Sequence, residues 1–179
     1  MKTRILFLVS LTFMITGNIV NGIAQEVQKH ETHEIRHHRF AAGVGHAFVP
    51  AHEMKNRLIV PTWGFDYEYW FFENFAIGIH SDMELQSYLV SVNHEEHLER
   101  HFPWIVSLVG TYKFWQNATI YLGPGREFEE NKHLNVIRAG LEYEFELPGH
   151  WDLSPGIFYD RKQSVYDAWG LAILVGHKF

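Results

Sequence analysis

The chain has 179 residues, a formal net charge of -6 and no cysteine. The negative charge argues against nucleic acid as a partner, because phosphate binding calls for a basic patch. The lack of cysteine excludes a disulfide framework, a metal–thiolate site and thiol catalysis.

The first 24 residues have the pattern of a cleaved export signal. Two basic residues precede an apolar run from Ile5 to Ile15, and Gly22-Ile23-Ala24 has the small-x-small form of a signal-peptidase site. The run is shorter than the roughly 20 residues that a transmembrane helix needs. We therefore predict a signal peptide over residues 1–24, and any membrane crossing must be made by strands.

Residues 25–38 are polar and show no apolar period. They include His30, His33, His37 and His38. We predict a flexible, histidine-rich leader on the periplasmic side. Exposed histidine-rich tails can bind metal loosely without a dedicated site, and this is the simpler interpretation of the leader.

From Arg39 onward the sequence alternates with a period of two, which places successive side chains on opposite faces of a strand. There are eight alternating segments, an even number, and the connections between them are short enough to be hairpins. This pattern predicts an all-β fold, an eight-stranded antiparallel up-and-down transmembrane β-barrel over residues 39–179. The eight predicted strands are residues 39–50, 58–71, 75–91, 101–114, 118–128, 133–147, 151–160 and 166–179.

The two faces of the predicted strands differ in size and charge. In the second strand one face is bulky and apolar from Ile59 to Phe71, whereas the other contains Thr62, Gly64, Asp66 and Glu68. The interior of eight strands is just wide enough for side chains to fill it. The small, charged face suits that interior, so we predict that the bulky face meets lipid. A soluble lipocalin-like barrel, with the aromatic face around a ligand cavity, is the alternative.

The last strand carries bulky residues on one face, among them Trp169, Leu171, Ile173 and the terminal Phe179. With the export signal and eight amphipathic strands, this resembles the small eight-stranded outer-membrane proteins of the OmpA-domain and OmpX type. Residues 123–129 and 137–145 also resemble small outer-membrane β-barrel proteins of Bacteroidetes-type bacteria. The resemblance implies the outer membrane of a Gram-negative bacterium, contact with its lipid and assembly by the outer-membrane insertion machinery. It implies no activity.

The interior face predicts a polar network. Pairing about the turn at Glu73 places His80 opposite Asp66, and pairing about residues 130–132 places Arg138 near Gly123. The simpler interpretation is a plug of salt bridges, and the alternative is a carboxylate and histidine cluster that binds a divalent cation or relays protons. The predicted network residues are Asp66, Glu68, His80, Asp82, Glu84, Lys113, Glu127, Arg138, Glu142, Glu144 and Asp160, with Asp152 on the same face.

A second candidate metal site lies in the loop after the third predicted strand. His94, His97 and His101 have spacings of three and four, which would align them if the loop made a helical turn. Imidazole and carboxylate groups suit zinc, copper or nickel. The pattern is not His-Glu-x-x-His, and a solvated polar loop is the simpler interpretation.

Some eight-stranded outer-membrane barrels modify lipid A, and a hydrolase of that kind needs a serine, a histidine and an acid together on the lipid face. His80 and Ser81 are neighbours in a strand and therefore point to opposite faces. We predict no catalysis and no cofactor. The preferred function is a structural or surface-interaction role for a monomeric barrel with a filled polar interior, and a narrow ion or small-solute pore is the other alternative.

Overall fold

The computed structural model describes residues 36–50, 57–92, 96–130, 132–163 and 165–179. The predicted signal peptide and most of the predicted leader lie outside these residues. No helix in the described part is long and apolar enough to cross a membrane. The described strands are β1 His38–Pro50, β2 Arg57–Phe72, β3 Phe75–Glu84, β4 Tyr88–Val92, β5 Glu96–Arg100, β6 Trp104–Trp115, β7 Ala118–Phe128, β8 Leu134–Tyr143, β9 Phe145–Leu147, β10 Trp151–Lys162 and β11 Tyr166–Lys178.

Eight of these strands close one antiparallel barrel. They follow the order β1, β2, β3, β6, β7, β8, β10 and β11, and β11 pairs with β1 to complete the circle. β9 continues from β8 after an interruption at Glu144 and pairs with β10. Each barrel strand thus pairs with the barrel strands before and after it in the chain, which confirms the predicted up-and-down barrel.

The third predicted strand, residues 75–91, is wrong in its second half. β3 ends at Glu84, and β4 and β5 pair with each other as a separate two-stranded sheet before β6 begins. Tyr88 and Val90 of β4 are buried in a cluster with Val49 and Val60 of the barrel. Period-two alternation therefore continues past the break, because the hairpin also has one buried face. Sequence periodicity cannot distinguish such a hairpin from a longer barrel strand.

The two ends of the barrel differ. β1 begins and β11 ends at one end, which we call the termini end, and its turns are short. The β4–β5 pair connects strands at the opposite end, which we call the hairpin end. The predicted loop between the third and fourth predicted strands contains β5 at Glu96–Arg100.

The exterior of the barrel is apolar and the interior is polar, as predicted. Trp63 is 45% exposed and Leu171 is 52% exposed, whereas Asp66 and Glu68 on the opposite face of β2 are 5% and 2% exposed. Aromatic side chains lie on the exterior near both ends of the barrel. Trp63, Trp104, Tyr159 and Trp169 lie toward the hairpin end, and Tyr69, Tyr112, Tyr143 and Trp151 lie toward the termini end.

Small residues allow the strands and the interior side chains to approach one another. Gly123 faces the interior on β7, and a methyl group there would overlap the backbone carbonyl of Leu108 on β6. At Gly110 the nearest atom to such a methyl group is the carbonyl oxygen of Leu122, 4.0 Å away. The two glycines therefore differ in whether a side chain can be accommodated.

We predict that Gly123→Ala destabilises the barrel by about 1–3 kcal/mol, because the backbone of β6 at Leu108 must move to make room for the added methyl group. Gly110→Ala is the matched control and should leave the urea midpoint of unfolding in lipid vesicles unchanged or raise it slightly. Equal midpoints for the two variants would contradict the close approach of β6 and β7 at Gly123.

Candidate functional site

All of the predicted network residues point into the barrel. Antiparallel register places Asp66 opposite His80, Gly123 opposite Arg138, and Arg138 opposite Asp160. Register partners on neighbouring strands point to the same face of the sheet, so interior charges that are paired in register lie side by side in the lumen. The interior is therefore best described as three levels, from the termini end to the hairpin end.

At the termini end, Lys113 and Lys178 share one carboxylate. The Lys178 Nζ atom lies 2.6 Å and the Lys113 Nζ atom 3.4 Å from Oε2 of Glu144. Both ammonium groups also lie near the Trp70 ring, at 6.0 and 5.1 Å from its centroid. This level is partly open to solvent, since both lysine side chains are about one-fifth exposed.

The middle level contains two buried guanidinium groups. Arg39 donates to Asp152 at 2.8 Å and to Glu68 at 3.2 Å. Arg138 donates to both oxygens of Asp160, at 2.8 and 2.7 Å, and also to Asp82. Bidentate contacts between a guanidinium and a carboxylate neutralise the charge and also fix the orientation of both side chains. The middle level therefore links five strands, β1, β2, β3, β8 and β10, through two arginines.

At the hairpin end, Lys162 and Arg100 hold the acidic residues together. The Lys162 Nζ atom lies 2.8 Å from Glu84 and 2.6 Å from Glu127. Arg100 donates to Glu127, to Glu129 at 3.3 Å and to the carbonyl of Lys132 at 2.8 Å. Arg100 belongs to the β4–β5 sheet, so this network connects that sheet to the barrel.

Two residues of the β4–β5 sheet have shifted pKa values. Burial raises the pKa of the Tyr88 phenol well above its usual value, and the neighbouring Glu84 carboxylate raises it further. Tyr88 thus stays neutral and donates to Glu84. Burial alone would lower the pKa of Arg100, but Glu127, Tyr166 and Glu129 together outweigh this effect and raise it. Both groups keep the protonation states that their contacts require.

A small cavity of about 20 Å³ lies in the middle level beside Asp66, His80 and Glu142. The His80 Nδ1 atom is 3.9 Å from Asp66 Oδ2, and its Nε2 atom is 3.4 Å from Glu68 Oε1. One ligand atom from each of the three residues lies within 4.8 Å of the other two. In the described part of the chain, these three residues could hold a metal ion.

Of the three loop histidines, His101 has a described side chain. His101 is exposed, and its Nδ1 atom lies 2.6 Å from the Ser87 hydroxyl. His94 lies outside the described residues, and so does the side chain of His97. The loop metal site therefore stays a prediction.

Ser81 is covered on the exterior of the barrel. Its hydroxyl accepts a hydrogen bond of 2.6 Å from the Trp104 indole, and the residue is only 1% exposed. His80 points to the interior on the other side of the sheet, as its position in the strand predicts. The described geometry thus separates this serine from the neighbouring imidazole.

Sequence reasoning missed several interior cations. Arg39 is the second residue of β1 and has interior parity, so the alternation could have identified it. Lys162 lies in the predicted connection after residue 160, whereas β10 extends through it, and Arg100 lies in the predicted loop before residue 101, whereas it belongs to β5. No local signal marks these two residues, because their partners come from strands far away in the chain.

Comparison with known proteins supports the fold. No family model and no curated protein matches the sequence. Neisserial surface protein A (NspA) is similar in structure, with 12% identity over 79% of this chain and 97% of that chain, and a TM-score of 0.56. Ail, the attachment invasion locus protein of Yersinia pestis, has 12% identity over 81% of this chain and 100% of that chain, with a TM-score of 0.53.

A second structure of Ail, in complex with the heparin analogue sucrose octasulfate, gives a TM-score of 0.56 at 12% identity, covering 79% of this chain and 97% of that chain. At this level of identity the similarity shows the fold alone. The predicted likeness to small eight-stranded outer-membrane barrels is confirmed at that level. The likeness to proteins of Bacteroidetes-type bacteria stays a prediction.

We predict that Arg138→Ala lowers stability by about 3–5 kcal/mol, because it leaves the buried Asp160 and the partly buried Asp82 without their shared cation. Arg126→Ala is the control, since Arg126 is exposed on the exterior of β7 with its guanidinium 5.8 Å from the Phe128 ring centroid, and it should cost less than about 1 kcal/mol. Urea unfolding in vesicles measures both. An unchanged midpoint for Arg138→Ala would contradict the salt-bridge interpretation.

We also predict that Arg100→Ala loosens the β4–β5 sheet while leaving the barrel closed. The variant removes the bonds to Glu127, Glu129 and the Lys132 carbonyl, so amide hydrogen exchange should accelerate in β4 and β5 and stay slow in β8 and β10. Glu99→Ala, at the exposed neighbouring position of β5, should leave exchange in the hairpin unchanged. Equal exchange rates of the β4 and β5 amides in the Arg100→Ala variant and in the control variant would show that Arg100 does not anchor the hairpin.

Proposed function

We propose that this protein is an integral barrel of the Gram-negative outer membrane, with a filled interior and a structural or surface-interaction role. The observation that carries this proposal is the inverted polarity of the barrel. Large apolar side chains cover the exterior, and ion-paired side chains that are almost fully buried occupy the interior. In water this arrangement would expose a continuous apolar surface, whereas in lipid each group meets a favourable environment.

The exterior aromatic residues support the same placement. Trp and Tyr side chains gather at two levels outside the barrel, as they do where transmembrane barrels meet the two membrane interfaces. In this placement the termini end faces the periplasm and the hairpin end faces outward. The predicted signal peptide, lipid contact and assembly by the insertion machinery are parts of the proposal, as is the monomeric state.

The interior argues against a pore. Arginine and lysine side chains cross the lumen at all three levels and bind carboxylates on other strands. The cavity of about 20 Å³ has room for one water-sized species, not for a continuous file of water. A barrel filled in this way contributes a rigid support for its outer end.

The hairpin end is the proposed surface for interaction. Tyr88 and Arg100 tie the β4–β5 sheet to the barrel through Glu84 and Glu127, so the sheet presents its outer face in a fixed orientation. A preorganised surface lowers the entropic cost of binding a partner. No catalytic step is part of this proposal.

Two measurements test the proposal. The folded protein should migrate differently on a denaturing gel before and after boiling, because a closed barrel in detergent keeps its strand pairing until it is heated. In a planar lipid bilayer the inserted protein should give no stepwise conductance, and boiled protein is the control for detergent effects. Absence of the gel shift together with solubility would contradict membrane insertion, and regular conductance steps would contradict the filled interior.

A further inference from the structure

The charges of the interior are not evenly balanced. In the middle level, two guanidinium groups and one imidazole face six carboxylates. These acids are Asp66, Glu68, Asp82, Glu142, Asp152 and Asp160. The termini end, by contrast, has two lysines for one carboxylate. The negative excess is therefore concentrated in the middle level, where burial makes it most costly.

The excess falls on two particular carboxylates. Arg138 is occupied by Asp82 and Asp160, and Arg39 bonds Glu68 and Asp152. Among the described residues, the side chains of Asp66 and Glu142 accept no hydrogen bond, and their nearest cationic atoms are 3.9 Å away, on His80 and Arg39 respectively.

Asp66 is 5% exposed and Glu142 is 7% exposed, and both line the cavity. Two deeply buried carboxylates therefore lack close partners at the edge of a space that can hold one small species.

His80 is held so that one nitrogen faces this space. Its Nε2 atom lies beside Glu68, and Glu68 is itself fixed by hydrogen bonds from Arg39 and from Thr111 at 2.9 Å. The Tyr121 ring meets the imidazole edge-on, with centroids 4.6 Å apart. When Nε2–H donates to Glu68, the lone pair of Nδ1 is directed to the side of Asp66. A carboxylate that orients a histidine in this way is the usual outer support of a metal-bound imidazole.

We propose that the cavity binds one divalent transition-metal ion through His80 Nδ1 and the carboxylates of Asp66 and Glu142. One nitrogen and two carboxylate ligands form a three-residue set like those that bind zinc and leave a further position for water. Magnesium and calcium prefer all-oxygen shells, so the imidazole disfavours them. The ion also supplies the positive charge that the middle level lacks. It enters during folding, because the site is enclosed once the barrel has closed.

The test uses zinc as the probe and the full chain refolded in detergent. Protein refolded with Zn²⁺ is washed with EDTA, which strips exposed histidine sites quickly, and bound metal is measured by mass spectrometry. Wild type should keep one zinc ion per barrel. His80→Asn and Glu142→Gln should each weaken retention by about tenfold or more. Glu144→Gln and His177→Asn are matched controls, because they change an interior carboxylate and a histidine away from the cavity, and both should retain the ion.

Folding of each variant is checked by the heat-dependent gel shift. If His80→Asn fails to fold, the wild-type protein refolded with Co²⁺ decides. Cobalt held by four or five ligands, one of them an imidazole, absorbs visible light much more strongly than six-coordinate aqueous cobalt. No EDTA-resistant zinc in wild type would overturn the proposal. Equal retention in the wild type, His80→Asn and Glu142→Gln would overturn it by placing the ion elsewhere.

Discussion

The structure depends on one constraint, the closure of eight strands into a narrow ring. Closure leaves no unpaired sheet edge, but it sends every second side chain of each strand into a lumen that is just wide enough to hold them. Small residues such as Gly123 are needed where neighbouring strands or side chains come close. Charged residues in the lumen must find partners across it, because water has little access there. The exterior apolar surface follows from the same alternation.

Register converts this constraint into specific pairs. Arg138 lies directly opposite Asp160 on the next strand, and it also reaches Asp82 on a strand that is not its neighbour. Lys162 likewise joins Glu84 of β3 to Glu127 of β7. These contacts cross the lumen, so they stabilise the closed ring as well as individual strand pairs. Since all of these partners except Asp82 are buried, the loss of one member costs more than the intact pair contributes.

The hairpin end adds a second kind of packing to this network. Apolar residues of β4 cover the barrel mouth, and Val90 is completely buried against it. Tyr88 and Arg100 then link the cover to the charged residues below. The β4–β5 sheet is therefore attached to the ion pairs of the lumen, and its outward face belongs to the same rigid unit as the barrel. The middle level keeps a different character, because its carboxylates outnumber its cations around a small cavity.

The sequence by itself determined the fold class, the strand order and the face of each barrel strand, because these follow from alternation and from connection lengths. It also identified most of the interior charges, since parity alone assigns a residue to the lumen. Tertiary structure alone decided that residues 75–91 divide between the barrel and a separate hairpin, because both have one buried face. It also decided which cation meets which acid, as with Arg100 and Glu127, because barrel curvature and side-chain reach are not encoded in local sequence. The same geometry brought Asp66, His80 and Glu142 around one cavity from three strands.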